Sequence, residues 1–306
     1  MTEVPIPAVV PVDQPVAEGE VTKALLGAGL AVTAWSTGTI LAKYIAMDSL
    51  AIGIYRFGAF FVALAVWMSV RGTPLRPTLL RDSFWGGIAL ALDIAFFFSA
   101  VKLTSVVNAT IIGSLQPILV GLIAVRFFGE KIRTSDALWA AVALVAAGVV
   151  VFAGSGGGTT DWRGDLLAAG ALFSWSGYFI ASKQSRGKLT ALEFTAGTSL
   201  WTALLCLPIG LAFGQDLSWP SAKNWLWLIA MIVAAGIAGH TLMNWSLQRI
   251  PVWVGSTFTL FIPVASALLA WIVFGETVTI AQGAAMAAVI ASLAVIVRHQ
   301  RTATPA

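Results

Sequence analysis

One unit is written twice along this chain. The stretch NATIIGSLQPILVGLIAVRFFGE (Asn108–Glu130) returns as VGSTFTLFIPVASALLAWIVFGE (Val254–Glu276). In each copy a proline, Pro117 or Pro263, stands thirteen residues before the glutamate of a Gly-Glu pair, and the copies are offset by 146. A second set of anchors agrees. AWSTGTILAK (Ala34–Lys43) matches SWSGYFIASK (Ser174–Lys183), with Trp35/Trp175, Ser36/Ser176 and Lys43/Lys183 all 140 apart. Two anchor sets at nearly one offset mean an internal duplication, which constrains the architecture before any other feature does.

The chemistry of the repeated unit comes next. The 306 residues are 58% hydrophobic and only 10% charged, with a mean hydropathy of +0.88. A water-facing surface needs roughly 25% charged residues, so this is an all-α polytopic membrane protein that has the lipid bilayer as a partner. Crossing the hydrocarbon core takes roughly 20 apolar residues. Ten such spans can be drawn: 24–42, 49–70, 83–101, an uninterrupted 103–125, 137–153, 166–182, 194–213, 224–247, 251–274 and 277–297. The expected organisation is a disordered Pro-rich tail over 1–22, a first five-helix repeat over 23–153 and a Gly-rich connector over 154–163. A second repeat over 164–298 and a C-terminal tail over 299–306 complete it. No basic stretch precedes an apolar run at the N-terminus, so no cleavable signal peptide is expected.

Charge sets the orientation. If the N-terminus is cytoplasmic, thirteen of the eighteen Lys and Arg residues fall on that side and four (Lys43, Lys102, Arg163, Lys223) on the other, with Arg56 inside the membrane. The positive-inside rule then puts both termini in the cytoplasm and accounts for the net charge of +4 without nucleic acid as a partner. Each repeat holds five spans, an odd number, so the second copy enters the membrane from the opposite side. Inverted-topology repeats of this kind place a substrate site near the midplane between the halves and support alternating access.

Ten spans in two units, the Pro…Gly-Glu ends of the fourth and ninth spans and an arginine early in the second span (Arg56) resemble the drug/metabolite transporter superfamily. Within it, residues 23–297 resemble the EamA family, most closely its aromatic amino-acid exporters. That resemblance implies a secondary carrier of the bacterial inner membrane that exports amino acids as its small-molecule substrate, aromatic and other larger neutral ones first. A multidrug or cationic-metabolite exporter, with Asp93 as counter-ion, is the alternative. A monomer is compatible with everything in the sequence.

The candidate substrate-binding residues are the polar and aromatic side chains that an apolar span tolerates badly. Asp93 is the most expensive, a carboxylate near mid-span. Moved by 146 it lands on Gly239, beside His240, so the repeat sets an acid and an imidazole at nearly equal depth. They read either as a proton-sensitive pair or as two groups satisfied by helix packing. Asn108, Gln116 and Asn244 could bind an amino or carboxylate group, or bond one helix to another. Trp245 shares a face with Asn244 and His240. Trp35 and Trp175, each eight residues before a helix-ending lysine, lie too deep for an interfacial belt and with Ser36 and Tyr178 suit a cavity wall. Pro117 and Pro263 read as static kinks or as hinges. Lys43 and Lys183 read as cations at helix C-termini, and Glu130 and Glu276 as loop caps or gates.

Several chemistries are excluded. The glycine run at 154–158 lacks a following Gly-Lys-Ser/Thr, so there is no P-loop to use ATP. With one cysteine (Cys206) and two histidines (His240, His299) there is no metal pattern, and no cofactor or catalytic residue is expected.

Overall fold

The computed structural model describes residues 16–73, 75–153 and 161–303, and within them every regular element is helical. The first repeat comprises α1 (Glu18–Ala42), α2 (Ser49–Val70), α3 (Thr78–Leu103), the pair α4 (Val106–Gly113) and α5 (Gln116–Phe128), and α6 (Thr134–Ala153). The second comprises α7 (Trp162–Gln184), α8 (Ala191–Ala212) and a span in three pieces: α9 (Ala222–Met231), a π-helical stretch Ile232–Thr241 and α10 (Leu242–Leu247). It ends with α11 (Val252–Phe258), a 3₁₀ turn Thr259–Phe261, α12 (Ile262–Phe274) and α13 (Ile280–Ala303). Nine of these spans are long and apolar enough to cross a membrane. The tenth, α7, has 23 residues but carries Arg163, Asp165 and Lys183 and is correspondingly more polar.

The packing repeats as the sequence does. Helix α3 lies against α7, and its symmetry mate is the packing of α1 on the π-helical stretch; α2 lies against α8 and α6 against α13, each pair being equivalent positions in the two repeats. The halves therefore interleave, and one core runs through both. The outward faces keep large apolar side chains exposed, among them Leu122, Val145, Phe152 and Ile280. Such a surface is stable only against lipid tails.

Four local features differ from the sequence reading. The fourth span is interrupted. Pro117 has no N–H to give the carbonyl four residues back, so α4 stops at Gly113 and a new helix starts at Gln116 with the proline in its first turn, where a missing N–H costs nothing. Pro263 does the same in the second copy, after the 3₁₀ turn. The helices also outrun the expected limits. Helix α1 starts at Glu18, inside the assigned tail, because Glu18 and Glu20 suit a helix N-terminus and Glu20 pairs with Lys23 at 3.0 Å. Helix α13 runs on to Ala303, held by His299 Nδ1 at 2.5 Å from the buried Asp136 carboxylate of α6. The rest of the expected N-terminal tail, residues 1–15, the glycine run 154–160 and residues 304–306 lie outside the described residues.

Both Pro-containing half-helices end on a glycine in the left-handed region, Gly129 (φ 64°) and Gly275 (φ 67°), which an L side chain would strain. Each turns the chain so that the following glutamate leaves the helix sideways.

Candidate functional site

The two proline breaks meet at mid-molecule. Thr259 Oγ1 of the 3₁₀ turn lies 2.9 Å from Oε1 of Gln116, first residue of α5, and 2.6 Å from the Ser256 carbonyl, sharing its one proton between them, so the break in one repeat is tied to the break in the other. Beside this junction lies a cavity of about 320 Å³ between α3, α4 and α7, floored by Thr259, Ile262 and Pro263. It lies in the half of the molecule away from the termini, along the C-terminal part of α3 and the N-terminal part of α7. Small residues hold it open: Ala109 and Gly113 on α4 face Ala168 and Ala171 on α7, while Phe97, Leu172 and Trp175 supply the bulk of the wall.

Its polar groups are few. Asp93 carries the one formal charge on the wall, and no Lys, Arg or His lines the cavity. The Asp93 carboxylate makes no hydrogen bond or ion pair with the described residues. Gln116 is 1% exposed, and its Nε2 has no partner although its Oε1 is engaged. Ser114 Oγ is turned back onto the Thr110 carbonyl at 2.8 Å. A mostly apolar cleft with a few fixed polar groups has the make-up of a small-molecule site, at the lower end of the usual size range.

On the side of the cavity toward the termini the path is filled by aromatic rings. Trp35 and Trp175 meet edge-to-face at 5.1 Å, Trp35 and His240 at 5.2 Å, Phe57 and His240 at 5.6 Å, and Trp175 stacks on Tyr178 at 5.4 Å. Beneath them runs a buried polar network. Asn244 Nδ2 donates to Tyr178 Oη at 2.7 Å and to Thr195 Oγ1 at 2.9 Å, and Tyr178 Oη lies 3.2 Å from His240 Nδ1. Gly239 makes the packing possible: a Cβ there would stand 2.5 Å from the Trp35 ring.

The expected residues thus divide into groups. Asp93, Gln116 and Trp175 line the cavity together with Pro263. Trp35, Tyr178, His240 and Asn244 gather in the plug, and Trp175 belongs to both. Asp93 and His240, set at equal depth by the repeat, make no contact: one faces the cavity and the other is enclosed by rings. Ser36 donates to the Val32 carbonyl at 2.8 Å and the Ile262 carbonyl at 3.3 Å, fastening α1 to the second proline break. Asn108 lies at the far end of α4, its Nδ2 3.4 Å from Thr104 Oγ1, which itself donates to Asp165 at 2.8 Å. Trp245 sits near the opposite end, under the Arg249 guanidinium at 4.2 Å, and Pro117 stands at the break without lining the cavity.

Sequence reasoning passed over Thr110, Ser114 and Thr259. The available signal was their place, a hydroxyl three to seven residues before a proline whose freed carbonyls need partners.

Known proteins bear on this geometry. The EamA-like transporter family profile matches residues 22–153 and again 162–298, once per repeat. An uncharacterized transporter of Bacillus subtilis, YwfM, is 29% identical over 282 residues, covering 89% of this chain and 93% of that protein. The aromatic amino acid exporter YddG of Ancylobacter novellus is 32% identical over 180 residues, 57% of this chain and 61% of the exporter. The threonine/homoserine exporter RhtA of Salmonella typhimurium is 27% identical over 175 residues, 56% of this chain and 57% of that exporter. A crystal structure of a protein 25% identical in sequence superposes with a TM-score of 0.79 over 91% of this chain and 98% of that one. Matched by one family profile in each five-helix half, the chain belongs to the EamA-like transporter family, and it is a multi-pass membrane transporter rather than an enzyme.

Proposed function

We propose that this transporter exports amino acids, aromatic and other larger neutral ones first, across the bacterial inner membrane by alternating access. The observation that carries the reading is the cavity itself: it sits where the broken helices of the two inverted halves are bonded together through Gln116 and Thr259. A site at that junction is the one place whose walls change when the halves exchange conformations. Its volume suits one small solute, and Trp175, Phe97 and Leu172 offer an apolar wall to a large neutral side chain. The names of the relatives point the same way. In this reading Pro117 and Pro263 serve as the hinges, the ring cluster around Trp35 and His240 as the closed barrier, and both termini lie in the cytoplasm, which the excess of basic residues in the loops on that side supports.

Counterflow in proteoliposomes of the purified protein tests this. Labelled tryptophan, phenylalanine and leucine should exchange against unlabelled amino acid without ATP, and lysine and glutamate should exchange less. Absence of exchange for every amino acid would remove the substrate assignment. The unpartnered Asp93 favours a second reading, export of cationic drugs or metabolites, and lipophilic cations in the same assay decide it.

A further inference from the structure

We infer that the cavity recognises its solute chiefly by the ammonium group, so that the carboxylate of an amino acid is dispensable and decarboxylated primary amines are carried as well. This rests on the proposed transport of amino acids through the same cavity and specifies which part of the molecule is read. A free amino acid brings one positive and one negative charge. The wall meets them unequally: it offers the Asp93 carboxylate and no cationic side chain. A carboxylate in an apolar span without a protein partner is costly, and an ammonium brought in by the solute relieves that cost. The solute carboxylate finds no charged partner on this wall, only neutral groups such as the Gln116 side-chain amide, which contacts Thr259. A neutral amide stabilises an anion less than a charge pair does. The amine is therefore the determinant and the carboxylate an accessory, while Trp175 and Phe97 take the side chain in either case.

The test is competition against labelled tryptophan in proteoliposomes of the full-length protein. The unlabelled competitors are tryptophan, tryptamine, phenethylamine, N-acetyltryptophan and indole-3-lactate. Direct exchange of labelled tryptamine and tryptophan is measured alongside. Tryptamine and phenethylamine should compete at least as well as tryptophan and be exchanged themselves, whereas the N-acetyl and hydroxy analogues should not compete. Asp93→Asn should weaken amines and amino acids alike by at least about tenfold, and Asp93→Glu should restore much of the loss. Gln116→Leu should weaken tryptophan and leave tryptamine nearly unchanged. Effective competition by N-acetyltryptophan or indole-3-lactate, or exchange of tryptophan without tryptamine, overturns the inference and leaves amino-acid export standing. Exchange of tryptamine without any amino acid overturns the export assignment and keeps the amine rule; exchange of neither overturns both. Should Asp93→Asn fail to fold, the selectivity of the wild-type carrier decides alone.

Discussion

The two Gly-Glu corners are nearly identical in sequence and differ in what their glutamates touch. At the corner nearer the termini, Glu130 accepts hydrogen bonds from the backbone N–H groups of Val252 (2.8 Å) and Trp253 (3.3 Å), capping the start of α11. It also pairs with Lys183 at 3.5 Å, and Lys183 donates to the Ile250 carbonyl at 2.6 Å, with both side chains nearly buried (10% and 13% exposed). At the opposite corner the equivalent pair, Glu276 and Lys43, is 3.3 Å apart but more than half exposed on each side. The helix start that symmetry would assign to Glu276, at α4, is instead capped by Ser105, which accepts from Asn108 N–H. Equal residues on equal helix ends (φ 64° and 67°) have thus been given unequal partners. Local sequence explains part of the inequality: Ser105 caps α4 with its own side chain, whereas Pro251 at the start of α11 has none to offer. The unequal partners fit the proposed cycle, in which the two corners would trade roles.

The largest effect should come from preventing that trade. With Cys206 replaced, cysteines at positions 130 and 183 joined by a short thiol-to-thiol cross-linker should abolish counterflow, while solute binding persists. Cysteines at 43 and 276 should cross-link more slowly, and faster when solute is present. Full counterflow in the 130–183 cross-linked protein would show that the corner never opens and would end the comparison. Next in size is Glu130→Gln. It leaves the buried Lys183 without its countercharge and weakens the α11 cap, and breaking a buried pair costs about 3 kcal/mol. That is roughly a hundredfold in a two-state ratio. A single reporter cysteine in the plug should become correspondingly more reactive from the termini side, and thermal unfolding in detergent should begin at lower temperature.

Much of this was legible in the chain, because an internal repeat doubles every signal. Pro117 and Pro263 mark kinks or hinges in sequence, although the spans that carry them read as continuous, and the two Gly-Glu pairs mark their ends. Trp35 and Trp175 read in sequence as cavity wall; in the fold they meet at 5.1 Å, with Trp175 on the cavity and Trp35 in the plug. What the repeat could not announce is asymmetry. Glu130 and Glu276 look alike in sequence, and the signal that separates them lies apart from both, in Pro251 and Ser105 at the helix starts they would cap. Nor could equal depth say that Asp93 faces a cavity while His240 is ringed by Trp35, Phe57 and Trp175, since depth fixes height along the bundle but not which helix face looks inward. The polar cavity wall was missed in part for a similar reason. Thr259 and Ser114 are ordinary helix hydroxyls until a proline break turns them toward the midplane.

Smaller effects sharpen the same contrast. Gly239→Ala puts a methyl group against the Trp35 ring in the closed half, where overpacking costs about 1–3 kcal/mol. Gly283→Ala, with nothing within 4 Å, should be neutral or stabilise α13 slightly, by up to ~1 kcal/mol from helix propensity. Scanning fluorimetry of the two variants reads the difference directly.

The smallest effect belongs to Glu276→Gln. Its pair with Lys43 is solvent-screened, and Lys43 also lies 4.2 Å over the Phe274 ring, so the lysine retains a partner when the carboxylate is neutralised. Exposed pairs contribute about 0–1 kcal/mol, so thermal stability should hardly move and the plug cysteine should stay as unreactive as in the parent protein. Turnover is the more telling readout. If the Glu276 corner takes up during transport the buried pairing that Glu130 has here, Glu276→Gln should slow exchange while leaving the resting protein unchanged. Unaltered exchange would restrict gating to Glu130 and make the second Gly-Glu a remnant of duplication. A stability loss equal to that of Glu130→Gln would show instead that both corners are shut at once.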